Sequence, residues 1–308
     1  MLLLSCGERA PDPRDFGLVG GIGVHRMDQG EISLSDREFT RIKSRVYQVA
    51  GISLSDAKRT LVISRLSKIV RAMGLPGFDA YVDYLERSGN ASDGQDFVNA
   101  LTTNLTRFYR EDHHFEHLRS HVGALMDEKP RGTRLRIWSA GCSTGQEPYT
   151  VGMDLLAAFP ELKRWDFKIL ATDIDTAVIA KASAGIYPEN ELNGLSTERA
   201  RRLEKAGDGT VRIPSAVREL VSFKPLNLIG ANWPMKGPFD AIFCRNVAIY
   251  FDKPTQGELF SRLGKLLAPE AFLYIGHSEN VGSGGEGFRL VGKTIYQSKQ
   301  KPNKREAA

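Results

Sequence analysis

The chain has 308 residues, 41% of them hydrophobic and 26% charged, with a formal net charge of +5. That length allows about two domains. The composition is too apolar for a disordered chain, and no run approaches the roughly 18 apolar residues of a membrane-spanning helix. Cys6, Cys142 and Cys244 lie far apart with no CxxC pair, which excludes a disulfide scaffold and a cysteine zinc ribbon and suits a reducing cytosol.

Residues 1–30 contain glycine and proline but no apolar period, and read as a disordered tail. Helical signals begin at Ser35. Ser35 and Glu38 form a capping box, followed by Phe39, Ile42 and Val46 at helical spacing. A second helix is predicted from Asp56 to Gly74, a third from Phe78 to Arg87 and a fourth from Asp93 to Thr102. Together they predict an all-helical domain over 31–105. A further helix is expected over Glu111–Glu128.

After Pro130 the period changes. Strands are predicted at Leu135–Ser139, Phe167–Ala171, Phe239–Cys244 and Phe272–Gly276, with helices at Glu147–Ala158, Thr176–Ala184 and Pro254–Leu267 between them. Phe288–Val291 and Thr294–Gln297 read as a closing pair. This alternation predicts an α/β, doubly wound, mostly parallel sheet. Residues 187–223 interrupt it with a charged helix (Ser196–Lys205), a Gly207-Asp208-Gly209 turn and short strands, and read as an inserted β-subdomain. The sheet domain is then 106–298, with 299–308 a loose basic tail.

Four segments fall at strand ends or at the domain junction. Ser139–Pro148 (SAGCSTGQEP) joins a strand to a helix; Gly141 and Gly145 let the backbone turn tightly beside a ligand. It lacks the GxxxxGK[ST] and GxGxxG patterns of phosphate binders, and Glu147 at the helix start would repel a pyrophosphate. An adenosine-type cofactor carrying positive charge suits it better. Asp173 ends the next strand, placed to accept from ribose hydroxyls, and Asp175 then starts a helix. Arg245, Asn246 and Tyr250 follow the Phe239–Cys244 strand beside the same crevice. Thr102–Arg110 (TTNLTRFYR) is too rich in Thr and Asn for a helix interior.

In order along the chain, TTNLTRFYR, RIWSAGCSTGQEPY, TDIDT, FDAIFCRNVAIYF and GHSEN resemble the chemotaxis receptor methyltransferases, the CheR family. The resemblance covers about 35–298. It implies a doubly wound, Rossmann-like methyltransferase domain with a small β-subdomain, joined to an N-terminal helical domain. It implies transfer of a methyl group from S-adenosylmethionine, leaving S-adenosylhomocysteine, to glutamate side chains on the cytoplasmic helices of membrane chemoreceptors. Carried onto this chain, cofactor contacts fall to Asn104, Thr106, Arg110, Gly141, Glu147, Asp173, Asn227, Leu228, Arg245 and Asn246. Arg110 and Tyr250 become the residues that position the reacting carboxylate. Where many members have a glutamate, this chain has Gln146. A non-catalytic S-adenosylmethionine-binding sensor of the same fold is the rival; the retained Arg110, Glu147, Asp173, Asn246 and Tyr250 argue against it.

Lys58, Arg65, Lys68 and Arg71 share a sector of about 140° on the second helix, either a solvated face or a docking surface for acidic receptor helices. Aromatic residues are not interleaved, which speaks against nucleic acid. His113, His117 and His121 recur at metal-binding spacing, but no metal is expected and they read as a polar helix face. Cys142 and Cys244 read as packing residues. Some members bind the receptor's C-terminal peptide at the β-subdomain through a longer Gly-rich loop. The short turn here predicts that the enzyme works without that tether, as a cytoplasmic monomer.

Overall fold

The computed structural model describes residues 32–301; the tail expected at 1–30 and most of the tail expected at 299–308 lie outside the described residues. Four helices open the chain: α1 (Asp36–Ala50), α2 (Arg59–Ala72), α3 (Phe78–Ser88) and α4 (Ala91–Leu101). The Ser35–Glu38 capping box forms in both directions, and α1 ends at Gly51 with φ 68°, a left-handed C-cap. The apolar stripe predicted from spacing on α1 is buried at Phe39, Ile42 and Val46, and Val62, Leu66, Phe78, Val82 and Phe97 of the other three helices are buried as well.

The rest of the chain alternates. Its elements are α5 (His113–Glu128), β1 (Arg134–Ala140), α6 (Gln146–Ala158), β2 (Asp166–Asp173), α7 (Thr176–Ala184), β3 (Ile186–Pro188), α8 (Thr197–Ala200), β4 (Glu204–Gly207) and β5 (Thr210–Arg212). Then come α9 (Ser215–Arg218), β6 (Val221–Pro225), β7 (Phe239–Cys244), α10 (Lys253–Leu266), β8 (Leu267–Ile275), β9 (Phe288–Gly292) and β10 (Ile295–Ser298). Among the described residues a seven-stranded sheet has the order β6-β2-β1-β7-β8-β10-β9. The strands from β6 to β8 run parallel, and the β9–β10 hairpin closes the sheet antiparallel. Helices cover both faces, so β1 and β7 are buried almost throughout, as parallel strands require.

A second, antiparallel sheet has the order β3-β5-β4. Its hairpin turns on Asp208 (φ 49°) and Gly209 (φ 67°), the pair of left-handed residues that a two-residue hairpin demands. Two expectations change here. The charged helix expected over Ser196–Lys205 is one turn, α8, capped by Ser196. From Glu204 the chain pairs with β5 instead, and burial of Leu203 and Val211 outweighs the local helical preference. The inserted unit also ends earlier than 223, because β6 pairs in parallel with β2 and belongs to the large sheet.

The helical domain docks on the carboxyl ends of the parallel strands. Asn227 Nδ2 donates to the Val49 carbonyl at 2.7 Å. Gln95 Nε2 reaches the Ile174 carbonyl at 2.7 Å, and Tyr47 donates to Asp252 at 2.7 Å. The switch point of the sheet, where ligands bind in open α/β folds, therefore faces a wall of helices.

Candidate active site

Between these two parts lies a cavity of about 270 Å³. Its lining contains every cofactor candidate named from the sequence (Asn104, Thr106, Arg110, Gly141, Glu147, Asp173, Asn227, Leu228, Arg245 and Asn246) and Tyr250 as well. Five segments deliver them: the Thr102–Arg110 junction and the turns after β1, β2, β6 and β7.

The turn after β1 is shaped by steric need. Gly141 has φ 82°, and a β-carbon there would drive into the Val247 side chain. Gly145 has φ 94° and sits against Ala182 and the Tyr187 hydroxyl. Both are positions only glycine fills without displacement. Asp173 is 9% exposed. Its carboxylate accepts from the Ser143 N–H at 2.8 Å and the Asp175 N–H at 3.0 Å. Those two bonds leave acceptor sites on a group that has about four. Burial raises its pKa, against the backbone donors that lower it. Asp175 caps α7, accepting from the Ala177 and Val178 N–H groups, and is held by Asn104 Nδ2 at 2.8 Å.

Beneath the turn lies a charged cluster. Arg245, with 2% of its side chain exposed, pairs with Glu147 at 2.9 Å and Glu111 at 3.3 Å, and donates to the Arg110 carbonyl. Glu147 also accepts from the Ser139 hydroxyl at 2.7 Å. Burial pushes the Glu147 carboxyl up, and the Arg245 charge works against it. Glu111 lies 2.9 Å from His277 Nδ1. Burial alone would raise its carboxyl, but the His277 hydrogen bond and the Arg245 charge together hold it down at about 2.

Glu279 acts on the backbone. It is 9% exposed and accepts from the N–H groups of Asn246 (2.7 Å), Val247 (2.9 Å), Ile249 (3.3 Å) and Gly276 (2.5 Å). One carboxylate thus clamps the loop that carries Asn246, itself at φ 59°, and Tyr250. Burial raises its pKa against those four bonds. Glu111 directly follows the quoted TTNLTRFYR and Glu279 lies inside GHSEN, yet their partners come from 166 residues away for Glu111 and 30 or more for the Glu279 loop. Only the GHSEN block, otherwise without a task, hinted at them.

Other candidates take different places from those expected. The Asn227 amide is spent on the helical domain and on the Ile229 N–H, so it ties the domains at the cavity's edge. Lys68 and Arg71 on α2 are exposed, as is Lys58, which lies in the 3-10 turn just before the helix rather than on it, but Arg65 is half-buried and donates to the Ala100 and Thr102 carbonyls; it caps the end of α4 and leaves the stripe. The α5 histidines face the sheet. His114 bonds the Thr294 hydroxyl at 2.9 Å, His117 the Tyr274 hydroxyl at 3.0 Å and His121 the Asp240 carbonyl at 3.2 Å. Among the described residues no group of three His, Cys, Asp or Glu side chains is arranged to hold a metal. Cys142 and Cys244 are buried, with thiols pushed up by burial, which leaves neither a thiolate nucleophile.

At the mouth, Leu105 is 80% and Ile249 47% exposed, and both line the cavity. Arg110 Nη1 donates to the Leu105 carbonyl at 2.9 Å, and the Tyr250 hydroxyl faces the Thr103 carbonyl at 3.5 Å. Among the described residues no helix is long and apolar enough to cross a membrane.

The donor set discriminates between ligands. A buried carboxylate with spare acceptor sites, a glycine turn without a phosphate-binding lysine, and apolar walls from Ile174, Leu226 and Leu228 fit an adenosyl group and do not fit a pyrophosphate.

The family description "CheR methyltransferase, all-alpha domain" matches residues 37–102, and "CheR methyltransferase, SAM binding domain" matches 104–297. The chain is 45% identical over 258 residues to a probable chemotaxis protein methyltransferase of Rhizobium etli, covering 82% of this chain and 96% of that one. It is 43% identical over 272 residues to the chemotaxis protein methyltransferase of Escherichia coli, covering 86% and 92%. It is 42% identical over 270 residues to chemotaxis protein methyltransferase 2 of Pseudomonas aeruginosa, covering 86% and 94%. With both domains matched in order, and with a helix-walled cavity at the switch point of a doubly wound sheet, the chain belongs to the CheR methyltransferase family.

Proposed function

We propose that the protein transfers a methyl group from S-adenosylmethionine to glutamate side-chain carboxylates on the cytoplasmic helices of chemoreceptors, giving glutamate methyl esters in chemotaxis. The observation that carries this reading is the convergence of four of the five sequence blocks, together with Asn227 and Leu228, on one cavity whose polar groups suit an adenosyl cofactor.

Asp173 holds the ribose hydroxyls through its free acceptor sites. Glu147 lies at the positively charged end of the ligand, its orientation set by Ser139 and Arg245. Asn246 and Leu228 border the adenine and methionine ends. Bound S-adenosylmethionine supplies an electrophilic methyl carbon on a sulfonium. The acceptor glutamate is already ionised at pH 7, so no residue of the chain removes a proton from it. The protein aligns and dries the reacting groups. Arg110 and Tyr250 orient the incoming carboxylate. Burial raises the Tyr250 pKa, which keeps the phenol a neutral donor. Charge is neutralised as the ester forms, so overly tight fixation of the carboxylate by Arg110 would slow the reaction.

Lys68 and Arg71 on α2, with Lys58 just before it, would attract the acidic face of the receptor helix. The two-residue turn at Asp208-Gly209 leaves β4 without the long neighbouring loop that shapes a peptide-binding edge, so the protein finds receptors through its helical domain; as an enzyme acting on the receptors' cytoplasmic helices it works in the cytoplasm. The decisive test is incubation with radiolabelled S-adenosylmethionine and receptor-containing membranes, followed by mild base. Label released as methanol is the expected outcome. Base-stable label or none would refute carboxyl methylation.

A further inference from the structure

Arg110 sits between two residues in the left-handed region, Tyr109 (φ 55°) and Glu111 (φ 57°). A β-carbon makes that conformation costly, and it persists only where the surroundings over-determine it. On one side the surroundings are the cavity cluster: Arg245 donates to the Arg110 carbonyl, and His277 and Arg245 hold Glu111. On the other side they come from the inserted unit, which takes no part in lining the cavity. Arg199, following α8's capped start, makes a two-pronged ion pair with Asp112, at 2.7 and 2.8 Å. Its guanidinium also stacks over the Tyr109 ring, 4.0 Å from the centroid. Arg202 donates to the Tyr109 hydroxyl at 2.9 Å and to Asp154 at 3.0 Å. Tyr187 of β3 packs edge-on against Phe108, with centroids 5.1 Å apart.

We propose that Arg199 is a positioning residue, through which the inserted β-subdomain holds the strained Tyr109–Glu111 turn and so aims the Arg110 side chain into the cavity. The inference rests on the role given to Arg110 above and extends it to a part of the molecule that does not line the cavity. The planar fork matters, because it alone bonds both Asp112 oxygens while lying flat on Tyr109. A displaced Arg110 would leave the other cofactor contacts, Asp173 among them, and the exposed face of the helical domain in place, but would misalign the reacting carboxylate, whose placement sets the rate.

Two substitutions, Arg199→Met and Asp112→Asn, test this with two readouts. In steady-state receptor methylation each should lower kcat roughly tenfold while the receptor KM and the calorimetric Kd for S-adenosylhomocysteine stay within about twofold. The double variant should fall no further than either single one, because the two residues act as one unit. Arg199→Lys should recover only part of the loss. Independently of activity, amide hydrogen exchange of peptides spanning 105–113 should quicken at least roughly tenfold in both variants with exchange of β1 and β7 unchanged. An unchanged kcat, a loss matched by weaker S-adenosylhomocysteine binding or by partial unfolding, additive losses, or unaltered exchange over 105–113 would overturn the proposal. Failure of the unsubstituted protein to methylate receptors would strike the proposed function instead, and the exchange measurement would still judge the clamp.

Discussion

Helix α2 and the floor of the cavity both present arginines, and they use them in opposite ways. On α2, Lys68 and Arg71 stand in water, as does Lys58 just before it, where a charge contributes little to the fold and acts on approaching molecules over about a Debye length. On the floor, Arg245 is 2% exposed and serves two carboxylates and a carbonyl. A charge taken out of water is costly unless fully partnered, so its value lies in holding Glu147, Glu111 and the Arg110 backbone in one arrangement. Arg65 shows the same division within a single helix turn: its spacing matches the stripe, yet its guanidinium caps carbonyls of α4. Periodicity reports direction, and burial decides the task.

The largest effect should come from breaking the floor. Arg245→Met leaves Glu147 and Glu111 without their cation and should cost about 3–5 kcal/mol of stability, read as a lower urea midpoint. Arg71→Met should stay within about 0.5 kcal/mol. Equal losses would erase the distinction between the two regions.

A second effect is pH-dependent. Burial holds His121 down at about 4, below its unfolded value of about 6.5. The neutral ring is therefore stabilised fully above pH 6.5, and that stability is lost as pH falls toward 4, because the unfolded chain takes the proton first. His121→Asn should flatten the stability–pH curve across this window by an amount on the order of 2 kcal/mol. A slope equal to that of the parent protein would show that His121 is not its source.

Asp173→Ala should weaken S-adenosylhomocysteine binding by more than about 1.5 kcal/mol, since a carboxylate–hydroxyl pair is charge-assisted. Calorimetry on the folded variant checks it, and an unchanged Kd removes the ribose assignment. On the exposed side, Lys68→Glu with Arg71→Glu should slow receptor methylation several-fold at low salt, and less at high salt, with cofactor affinity intact. A normal low-salt rate would make the stripe a solvated face. The smallest effect is an expected zero: a receptor C-terminal pentapeptide titrated into the protein should give no saturable heat. Micromolar binding would show that the Asp208-Gly209 turn leaves the β4 edge open.

The amino-acid sequence alone determined the elements whose causes are local. Capping at Ser35 and Glu38, the stripe of α1, the parallel strands' apolar runs, the glycine turn and the Asp208-Gly209 hairpin each depend on neighbours within a few residues, and each was legible. So were the eleven candidates that line the cavity, nine of them inside four of the five blocks that resemble one family and two, Asn227 and Leu228, carried over by the same resemblance. Tertiary structure decided what depends on partners far along the chain. It turned Glu204 and Lys205 from helix to strand by offering β5 as a partner, and moved β6 into the large sheet beside β2. It spent Arg65 and Asn227 on carbonyls of other segments, and made Glu279 the clamp of a loop some 30 residues upstream. Hydrogen bonds and ion pairs act within about 3 Å, and which groups come that close is set by the packing of whole elements, which no local pattern of residue types records.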